Sequence, residues 1–310
     1  MTKVDVAGRA RDAGAALRKV RDAYLEERVP LAGFTTWRTG GPARYLLTVN
    51  TRQSLIDSLR VLQDAGVPLM VLGNGSNVLV SDAGWNGAVM RLKESLASVE
   101  VGGGGLDAGG GALLGAAVSK ALRASLSGLE FALGIPGTVG GAVMTNAGTF
   151  AGSTAASLES VDAVDRSGEL LTLEEFEDVY RGPLVAGDLI VAGARFGLTP
   201  EDGASIKSRM EEVRSRREGS QPLAAATAGS VFKNPPGEAA GRLLDQCGLK
   251  GRTVGGASVS DVHANFIINS GGASSAEVKT LMDVMAREVE RAFGVRLEAE
   301  VRLVGFEEES

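Results

Sequence analysis

Two glycine-rich segments constrain this chain more than any other feature of its sequence. The first is Gly73-Asn74-Gly75-Ser76-Asn77, which joins two apolar runs, and the second is residues 134–148, with five glycines in fifteen positions. A glycine has no Cβ, so its backbone can come close to a ligand or to another part of the chain. The whole chain has 43 glycines among 310 residues, about twice the usual share. Both segments are therefore candidate binding loops.

The first loop does not fit the dinucleotide-binding fingerprint of a doubly wound fold. That fingerprint would place a third glycine at position 78 and open a helix there, whereas this chain has Val78 and continues in an apolar, β-like run. The successive N–H groups of residues 73–77 can instead form a concave nest that binds a phosphate. Taken alone, the loop is better explained as a tight turn without a ligand.

The second segment contains five candidate cofactor contacts, Gly137, Thr138, Gly140, Gly141 and Asn146. Side chains are missing where a flat or extended ligand could lie against the backbone. The alternative is a corner in which glycines only let two parts of the chain pack closely. Two such loops, about 60 residues apart, favour a large nucleotide more than either does alone.

The composition excludes several classes of protein and site. One Cys and one His rule out a disulfide scaffold, a Cys/His zinc site and a multi-histidine metal centre. The formal net charge is -6 and the basic residues are scattered, so we expect no nucleic-acid partner. No apolar run approaches the ~20 residues of a membrane span, and residues 1–16 have no signal-peptide core. We therefore expect no membrane insertion and a cytoplasmic location.

Hydrophobic periodicity and turn residues divide the chain into helices and short strands. Apolar residues at helical spacing predict helices over residues 10–27, 54–65, 113–125, 204–217, 239–247 and 274–293. The last is the clearest, because Ser274 and Glu277 form a capping-box pair and Gly294 follows its end. Short β-like runs punctuate residues 35–198, and two more are predicted at 265–268 and 296–304. Pro200 marks a predicted domain boundary.

Three isolated features carry side chains that could take part in chemistry. Ser230 follows a glycine in a strand-like segment, where it is either a positioned hydroxyl or a structural serine. Glu300 lies in the alternating segment 297–303, and most faces of this kind are only solvated. His263 is the one histidine, and a structural role is the better expectation for it than a catalytic one.

The order of these motifs resembles that of the UDP-N-acetylenolpyruvoylglucosamine reductase family, flavoenzymes of peptidoglycan precursor synthesis. The resemblance covers residues 30–305 and rests on the segments 36–43, 73–80, 128–131, 135–142, 180–181, 229–235, 263–266 and 298–302. Only 49 positions, without a tyrosine, lead from Arg181 to Ser230. In this the chain resembles the shorter of the family's two types, which lacks an inserted loop with a substrate-binding tyrosine.

The resemblance implies an α+β fold with a two-lobed FAD-binding domain of the vanillyl-alcohol-oxidase type and a smaller α+β substrate-binding domain. It places the FAD-binding domain at residues 1–199, with a second lobe from about residue 70, and the UDP-sugar domain at residues 200–298. Residues 299–310 are then a C-terminal strand and tail that return toward the FAD domain.

The family's activity is the NADPH-dependent reduction of the enolpyruvyl group of UDP-N-acetylglucosamine enolpyruvate, with FAD bound non-covalently. The resemblance implies that both glycine loops hold FAD and that the first surrounds its pyrophosphate. Arg181 and Glu300 match the residues that stabilise negative charge developing on the substrate carboxylate, and Ser230 matches the proton donor. Lys233 and Asn234, close to Ser230 in sequence, are expected to face the UDP-sugar.

One segment departs from the family pattern, and two alternative functions stay open. The family usually has Tyr-Arg-x-Ser, whereas this chain has Tyr180-Arg181-Gly182-Pro183, which alters the local support of the arginine. One alternative is an FAD-dependent oxidase or dehydrogenase of a small alcohol or acid on the same scaffold. Many such enzymes attach FAD covalently through a His or Cys of the FAD domain, whereas His263 and Cys247 lie in the second half of this chain. The other alternative is a non-catalytic binder of a nucleotide sugar.

Overall fold

The computed structural model describes residues 13–306, which group into two compact units built from several chain segments each. Among the described residues, the first unit comprises residues 13–28, Arg44–Asn74 and Gly87–Arg214. The second comprises Val29–Ala43, Gly75–Asn86 and residues 215–306. Two segments from the N-terminal third of the chain thus belong to the same unit as its C-terminal third. The domain limits expected from the sequence stay a prediction.

The described part of the chain consists of short strands and six α-helices of two turns or more, besides helical residues 13–17. The strands are β1 (Ala23–Pro30), β2 (Pro42–Val49), β3 (Leu69–Val71), β4 (Val78–Val80), β5 (Trp85–Leu92), β6 (Val99–Gly102), β7 (Gly105–Gly109), β8 (Leu126–Ser127), β9 (Gly148–Thr149), β10 (Gly152–Ser153), β11 (Leu158–Val164), β12 (Leu170–Leu173), β13 (Ile190–Gly197), β14 (Thr199–Pro200), β15 (Thr253–Val254), β16 (Ala257–Val259), β17 (Ile267–Asn269) and β18 (Arg302–Val304). The helices are α1 (Arg52–Asp64), α2 (Leu114–Arg123), α3 (Val139–Thr145), α4 (Gly203–Ser220), α5 (Ala240–Gln246) and α6 (Ser275–Phe293).

The first unit has two hydrophobic cores, which correspond to two lobes. In the first lobe β1, β2, β5 and β3 form a sheet in that order, and Leu55 and Leu59 of α1 share a core with Met90 of β5. In the second lobe β12, β11, β13, β7 and β6 form an antiparallel sheet whose core includes Leu106. That the second lobe starts near residue 70 stays a prediction.

The second unit packs α6 and α5 around the small sheet β15-β16-β17. Trp37, from a segment far away in sequence, is completely buried in this core, and its Nε1 donates to Ile267 O at 2.8 Å. Asn269 Nδ2 returns a hydrogen bond to Trp37 O at 2.8 Å. β18 pairs in parallel with β4, which explains why residues 75–86 belong to this unit.

The helix predicted over residues 10–27 needs correction. Residues 13–17 are helical, but β1 occupies Ala23–Pro30, and residues 10–12 lie outside the described part of the chain. Asp22 has a φ of 58°, which no right-handed helix allows. Ala23 and Leu25 then pack on the first core while Tyr24 between them is exposed, a spacing of two rather than four.

The other predicted helices are confirmed, and the C-terminal strand is shorter than expected. α6 has the predicted capping box of Ser274 and Glu277, and Gly294 ends it with φ 67°. Of the strand predicted at residues 296–304, only β18 (Arg302–Val304) is formed. Ala299, earlier in the same segment, makes one isolated bridge to Phe232 instead of a continuous ladder. β17 is shifted by two residues from the predicted start at residue 265.

Candidate active site

The loop between β3 and β4 contains a run of main-chain N–H groups that the protein does not use. Among residues 13–306 there is no protein acceptor for the N–H groups of residues 73–77. The N–H group immediately before the run, that of Leu72, donates normally to Met90 O at 2.9 Å. Successive N–H groups without a protein acceptor are able to bind an anion. The loop can therefore act as a phosphate nest, and that it does so stays a prediction.

The glycines of this loop are required by the packing of the chain on itself. A Cβ on Gly73 would lie 2.4 Å from Thr138 Oγ1. Gly75 has φ 63°, and a Cβ there would lie 2.1 Å from Phe34 O. Gly75 O also accepts from Thr36 N at 3.1 Å. Protein contacts thus exclude a side chain at either position, whether or not a ligand is present.

The two glycine-rich segments are in contact within the first unit. Asn74 Nδ2 donates to Pro136 O at 2.7 Å, beside the contact of Gly73 with Thr138. The N–H groups of Gly137 and Thr138 also lack an acceptor in the described part of the chain. We call the N–H groups of Gly73, Asn74, Gly137 and Thr138 the amide cradle.

Gly140 and Gly141 differ from the cradle residues, because their N–H groups are already occupied. Gly140 N donates to Gly110 O at 2.8 Å, and Gly141 N donates at 3.2 Å to Thr138 Oγ1, which caps α3. A Cβ on Gly140 would lie 2.9 Å from Gly110 O. Close packing of α3 on residues 109–111 accounts for Gly140 in the sequence. That either glycine contacts a cofactor stays a prediction.

Arg181 lies in a tight turn and has an unusual backbone conformation. Gly182 N donates to Val179 O at 3.2 Å, which closes the turn, and Arg181 within it has φ 50°. A Cβ on Gly182 would lie 2.5 Å from Val179 Cγ1. Non-glycine residues with positive φ are uncommon and persist where the surrounding structure fixes them. The turn ends before Pro183, so the proline replaces no hydrogen bond that the turn itself needs.

The Arg181 guanidinium is held by carbonyl groups of a neighbouring segment. Nη2 donates to Gly148 O at 2.7 Å and Nη1 to Asn146 O at 3.4 Å, and the guanidinium carbon lies 5.7 Å from the centre of the Tyr180 ring. Two main-chain carbonyls therefore fix the orientation of this guanidinium, whose planar fork can bind a carboxylate.

Ser230 and Glu300 are placed by one set of main-chain hydrogen bonds in the second unit. Ser230 forms an isolated antiparallel bridge with Phe266, and Glu300 N donates at 2.8 Å to the carbonyl of Val231, the residue after Ser230. Asn77 Nδ2, at the end of the first glycine loop, donates to Glu300 O at 3.1 Å. Both Ser230 and Glu300 are partly accessible. The structure therefore brings together, within one unit, two of the three predicted catalytic residues and the end of the first glycine loop.

Lys233 and Asn234, predicted to face a UDP-sugar, have partners within the second unit. Lys233 Nζ lies 2.6 Å from Glu298 Oε1, and this ion pair involves a mostly exposed carboxylate. Asn234 Oδ1 accepts from Ala240 N at 3.0 Å, at the start of α5. Their contacts with a substrate stay a prediction.

His263 is held as a structural imidazole. Its Nδ1 accepts from Asn265 N at 3.1 Å, and its ring packs edge-on against Phe266 with centroids 4.9 Å apart. Burial, reinforced by the charge of Lys250, lowers the pKa of His263 below its ordinary value, although Asp245 opposes the shift. The imidazole is therefore neutral at pH 7, with its proton on Nε2.

Two kinds of site have no counterpart in the described residues. Between residues 13 and 306 no three or more His, Cys, Asp or Glu side chains gather where they could hold a metal ion. No described helix has both the length and the apolar character needed to cross a bilayer.

Sequence reasoning missed residues that act by supporting others. Asp178 accepts from Asn146 Nδ2 at 2.6 Å, and Asp82 accepts from Ser275 N and Ala276 N at 2.9 Å, at the start of α6. A sequence pattern reveals an aspartate that caps a helix or a turn only when the aspartate lies next to that helix or turn in the sequence. Asp82 is almost two hundred residues from the helix that it caps, so no local pattern could have indicated it.

Comparisons with known proteins show which family this chain resembles. A family model described as "FAD binding domain" matches residues 43–174, and one described as "UDP-N-acetylenolpyruvoylglucosamine reductase, C-terminal domain" matches residues 221–304. UDP-N-acetylenolpyruvoylglucosamine reductase 2 of Symbiobacterium thermophilum is 45% identical over 89% of this chain and 91% of its own length. The first match contains the loops of the first unit, and the second contains Ser230, Lys233, Asn234 and Glu300.

Solved structures show the same relationship. The crystal structure of UDP-N-acetylenolpyruvylglucosamine reductase from Thermus caldophilus has a TM-score of 0.80 and 40% identity, over 91% of this chain and 99% of that one. Wild-type Phl p 4.0202, a glucose dehydrogenase, has a TM-score of 0.51 and 20% identity, over 62% of this chain and 44% of that one. The second likeness concerns the fold alone.

Proposed function

This chain belongs to the UDP-N-acetylenolpyruvoylglucosamine reductase family, and from that premise we propose how its own residues carry out the reaction. The protein is an FAD-dependent oxidoreductase, a UDP-N-acetylmuramate dehydrogenase. It uses NADPH to reduce the enolpyruvyl group of UDP-N-acetylglucosamine enolpyruvate, which gives UDP-N-acetylmuramate for peptidoglycan synthesis. Its partners are therefore these small molecules.

The amide cradle is the observation that supports FAD binding most directly. Its N–H groups have no acceptor in the described chain and are proposed to bind the pyrophosphate of FAD. When bound, FAD carries the hydride from NADPH to the substrate. Gly140 and Gly141 are proposed to lie at the same cofactor site, although their own N–H groups donate to protein acceptors.

Arg181 is proposed to stabilise the charge that develops on the substrate carboxylate. When hydride reaches the terminal carbon of the enol ether, electron density moves toward the carboxylate, which takes on enolate character. A guanidinium that is already oriented by Gly148 O and Asn146 O stabilises this charge without having to reorganise. Its planar fork can bind both oxygens of a carboxylate.

Ser230 and Glu300 are proposed to complete the addition. The α-carbon of the enolate needs a proton, and the Ser230 hydroxyl is the proposed donor. A hydroxyl is a weak acid, but an enolate carbon is basic enough to take its proton when the two are held in place. Glu300 is proposed to hold a proton itself and to donate a hydrogen bond to the substrate carboxylate, beside Ser230 in the same hydrogen-bonded segment.

Lys233 and Asn234 are proposed to bind the UDP-sugar, since the segment that carries Ser230 also carries them. Because NADPH and nucleotide sugars are made and used in the cytoplasm, we propose a cytoplasmic location. A flavin oxidase of small alcohols that binds FAD covalently is disfavoured, because His263 and Cys247 lie outside residues 43–174, the FAD-binding match. The presence of Arg181, Ser230 and Glu300 together argues against a binder without activity.

The test of this function uses the purified full chain. We expect a yellow protein that releases its FAD into solution on denaturation and oxidises NADPH only when the enolpyruvyl UDP-sugar is added. Flavin that stays with the precipitated protein would indicate the covalent oxidase. Bound flavin with no oxidation of NADPH that depends on the UDP-sugar would indicate the non-catalytic binder.

A further inference from the structure

We propose that Asn146 is a positioning residue for Arg181, and that it acts through a hydrogen bond to Asp178. This inference rests on the proposed function, because it concerns the arginine assigned to the substrate carboxylate. It also replaces the expectation that Asn146 contacts the cofactor. All the residues involved lie in the first unit.

Asn146 is buried and its carboxamide is already engaged by the protein. It is 3% exposed, and it ends α3 in the left-handed conformation with φ 41°. Nδ2 donates to Asp178 Oδ1 at 2.6 Å and to Val179 O at 3.0 Å, and Oδ1 accepts from Ala155 N at 3.1 Å. An asparagine amide has two N–H donors. Both are used, so no side-chain donor is left for a ligand.

These hydrogen bonds act on the turn that carries Arg181. Val179 O closes the turn by accepting from Gly182 N, and the same oxygen accepts from Asn146 Nδ2. Asp178 is the residue immediately before this turn. Asn146 therefore fixes the first two residues of a segment in which Arg181 must hold a φ of 50°. A conformation of this kind is unfavourable for a non-glycine residue and persists only where the surroundings impose it.

Asn146 also determines where the guanidinium ends. Its main-chain O accepts from Arg181 Nη1, and Gly148 O, two residues later, accepts from Nη2. A Cβ on Gly148 would lie 2.5 Å from Gly152 O, so the β9–β10 hairpin holds that carbonyl in place. Asn146 thus holds the turn of Arg181 through its side chain and accepts from the Arg181 guanidinium through its main-chain carbonyl.

The Asn146–Asp178 bond explains how the chain tolerates Pro183. The family usually has a serine at that position, and the proline can neither donate nor accept through a side chain. Here the support comes from the preceding side of the turn, through a carboxamide that bonds a carboxylate at 2.6 Å. Hydrogen bonds to a charged acceptor are stronger than those between neutral groups.

The test exchanges the two partners. Asn146→Asp places a second carboxylate against Asp178 and removes the donor to Val179 O. Combined with Asp178→Asn, the donor and acceptor are restored in reversed order. The control combines Asn146→Asp with Glu177→Gln. This variant has the same net charge as the exchanged pair, but the carboxylates at 146 and 178 still face each other. No hydrogen bond joins the Glu177 side chain to Asn146 in the described chain. Arg181→Ala shows the full cost of losing the arginine.

The measured quantities are FAD content, melting temperature, the rate of flavin reduction by NADPH, and the rate and substrate dependence of flavin reoxidation by the UDP-sugar. We expect Asn146→Asp to slow reoxidation about 10–100-fold, as a shift of about 1 Å in a catalytic group does. FAD content and flavin reduction should stay at the parent level. The exchanged pair should reoxidise its flavin about ten times faster than Asn146→Asp alone, and the Glu177→Gln combination should be no faster than Asn146→Asp.

Several outcomes would overturn the inference. Loss of FAD in Asn146→Asp would indicate that Asn146 contacts the cofactor after all. Equal recovery of the reoxidation rate in the Glu177→Gln combination would show that only the net charge matters. If Asn146→Asp does not fold, Asn146→Gly keeps the left-handed backbone without the carboxamide. That variant should still show slow reoxidation with normal flavin content, and parent-like reoxidation would exclude the positioning role. A parent enzyme without turnover, or a fully active Arg181→Ala variant, would refute the proposed function rather than this inference.

Discussion

Thr138 Oγ1 occupies the space into which a side chain at Gly73 would project, because a Cβ on Gly73 would lie only 2.4 Å from it. The same Oγ1 accepts from Gly141 N at 3.2 Å and so caps α3. One hydroxyl therefore both begins a helix and fixes the distance between the two glycine loops. The amide cradle depends on this contact.

Gly73→Ala should displace the two loops and lower the FAD content of the purified protein. Adding Thr138→Ala removes the clashing oxygen and should restore part of the flavin content, although the lost cap costs about 1 kcal/mol of stability. Gly115→Ala is the control, since nothing lies within 4 Å of a Cβ there. It sits in α2 and should raise stability by about 0.5–1 kcal/mol without affecting flavin. Flavin absorbance and thermal melting measure both effects, and full flavin content in Gly73→Ala would show that the loop spacing is not critical.

Some residues around the amide cradle could be predicted from the sequence, and others could not. The loop at residues 73–77 was recognisable because glycines between two apolar runs are a local pattern. Gly140 belongs to a similar local pattern, yet its glycine is explained by Gly110 O, a contact with another segment. A pattern can show where a side chain is missing, but it cannot show what takes its place.

The same limit applies to the fold. α6 was predictable from its capping box and apolar spacing, both of which are local. The sequence predicts helix as far as residue 27 because Val20, Tyr24 and Leu25 continue an apolar stripe at helical spacing. The left-handed φ of Asp22, which ends this stripe, has no local sequence signal. Trp37 reaches the core of the second unit through Ile267, 230 residues away, and no periodicity reports such a contact.

A test of Lys233 must separate substrate binding from its ion pair with Glu298. Lys233→Ala should raise the apparent KM for the UDP-sugar far more than it changes flavin reduction by NADPH. Glu298→Gln breaks the same ion pair but keeps the lysine, and surface pairs of this kind contribute about 0–1 kcal/mol. We expect near-parent kinetics for Glu298→Gln in a steady-state assay. Equal impairment of both half-reactions by Lys233→Ala would indicate a folding defect instead.

His263 should make the protein less stable in mild acid. Its pKa is lowered by burial, so the unfolded chain binds a proton more readily than the native state does. The stability that this residue contributes is therefore complete above the ordinary histidine pKa and is lost as the pH falls through the lowered native value. His263→Asn keeps an acceptor for Asn265 N but has no group that titrates in this range. The difference in urea midpoint between parent and variant should shrink or change sign as the pH falls from 7.5 to about 5, and a constant difference would contradict the assignment.

Ser230 gives the sharpest test of the proposed mechanism. Flavin reduction by NADPH needs no proton donor at the substrate α-carbon, so Ser230→Ala should leave that step nearly intact. Reoxidation by the enolpyruvyl substrate does need one, and it should slow by about 10²–10⁴-fold, the range for a lost general acid. Alanine fits the space of serine, so the melting temperature should change little.

Ser230→Cys should recover part of the lost rate, because a thiol is a stronger acid than an alcohol. Thr227→Ala is a matched control, since it removes a nearby hydroxyl from the same segment, and it should reoxidise at the parent rate. Stopped-flow traces at the flavin absorbance band follow both half-reactions in one instrument. If Ser230→Ala reoxidises as fast as the parent, another group supplies the proton. His263 would then be the next candidate, even though its neutral ring would have to give up the Nε2 proton while Nδ1 still accepts from Asn265 N.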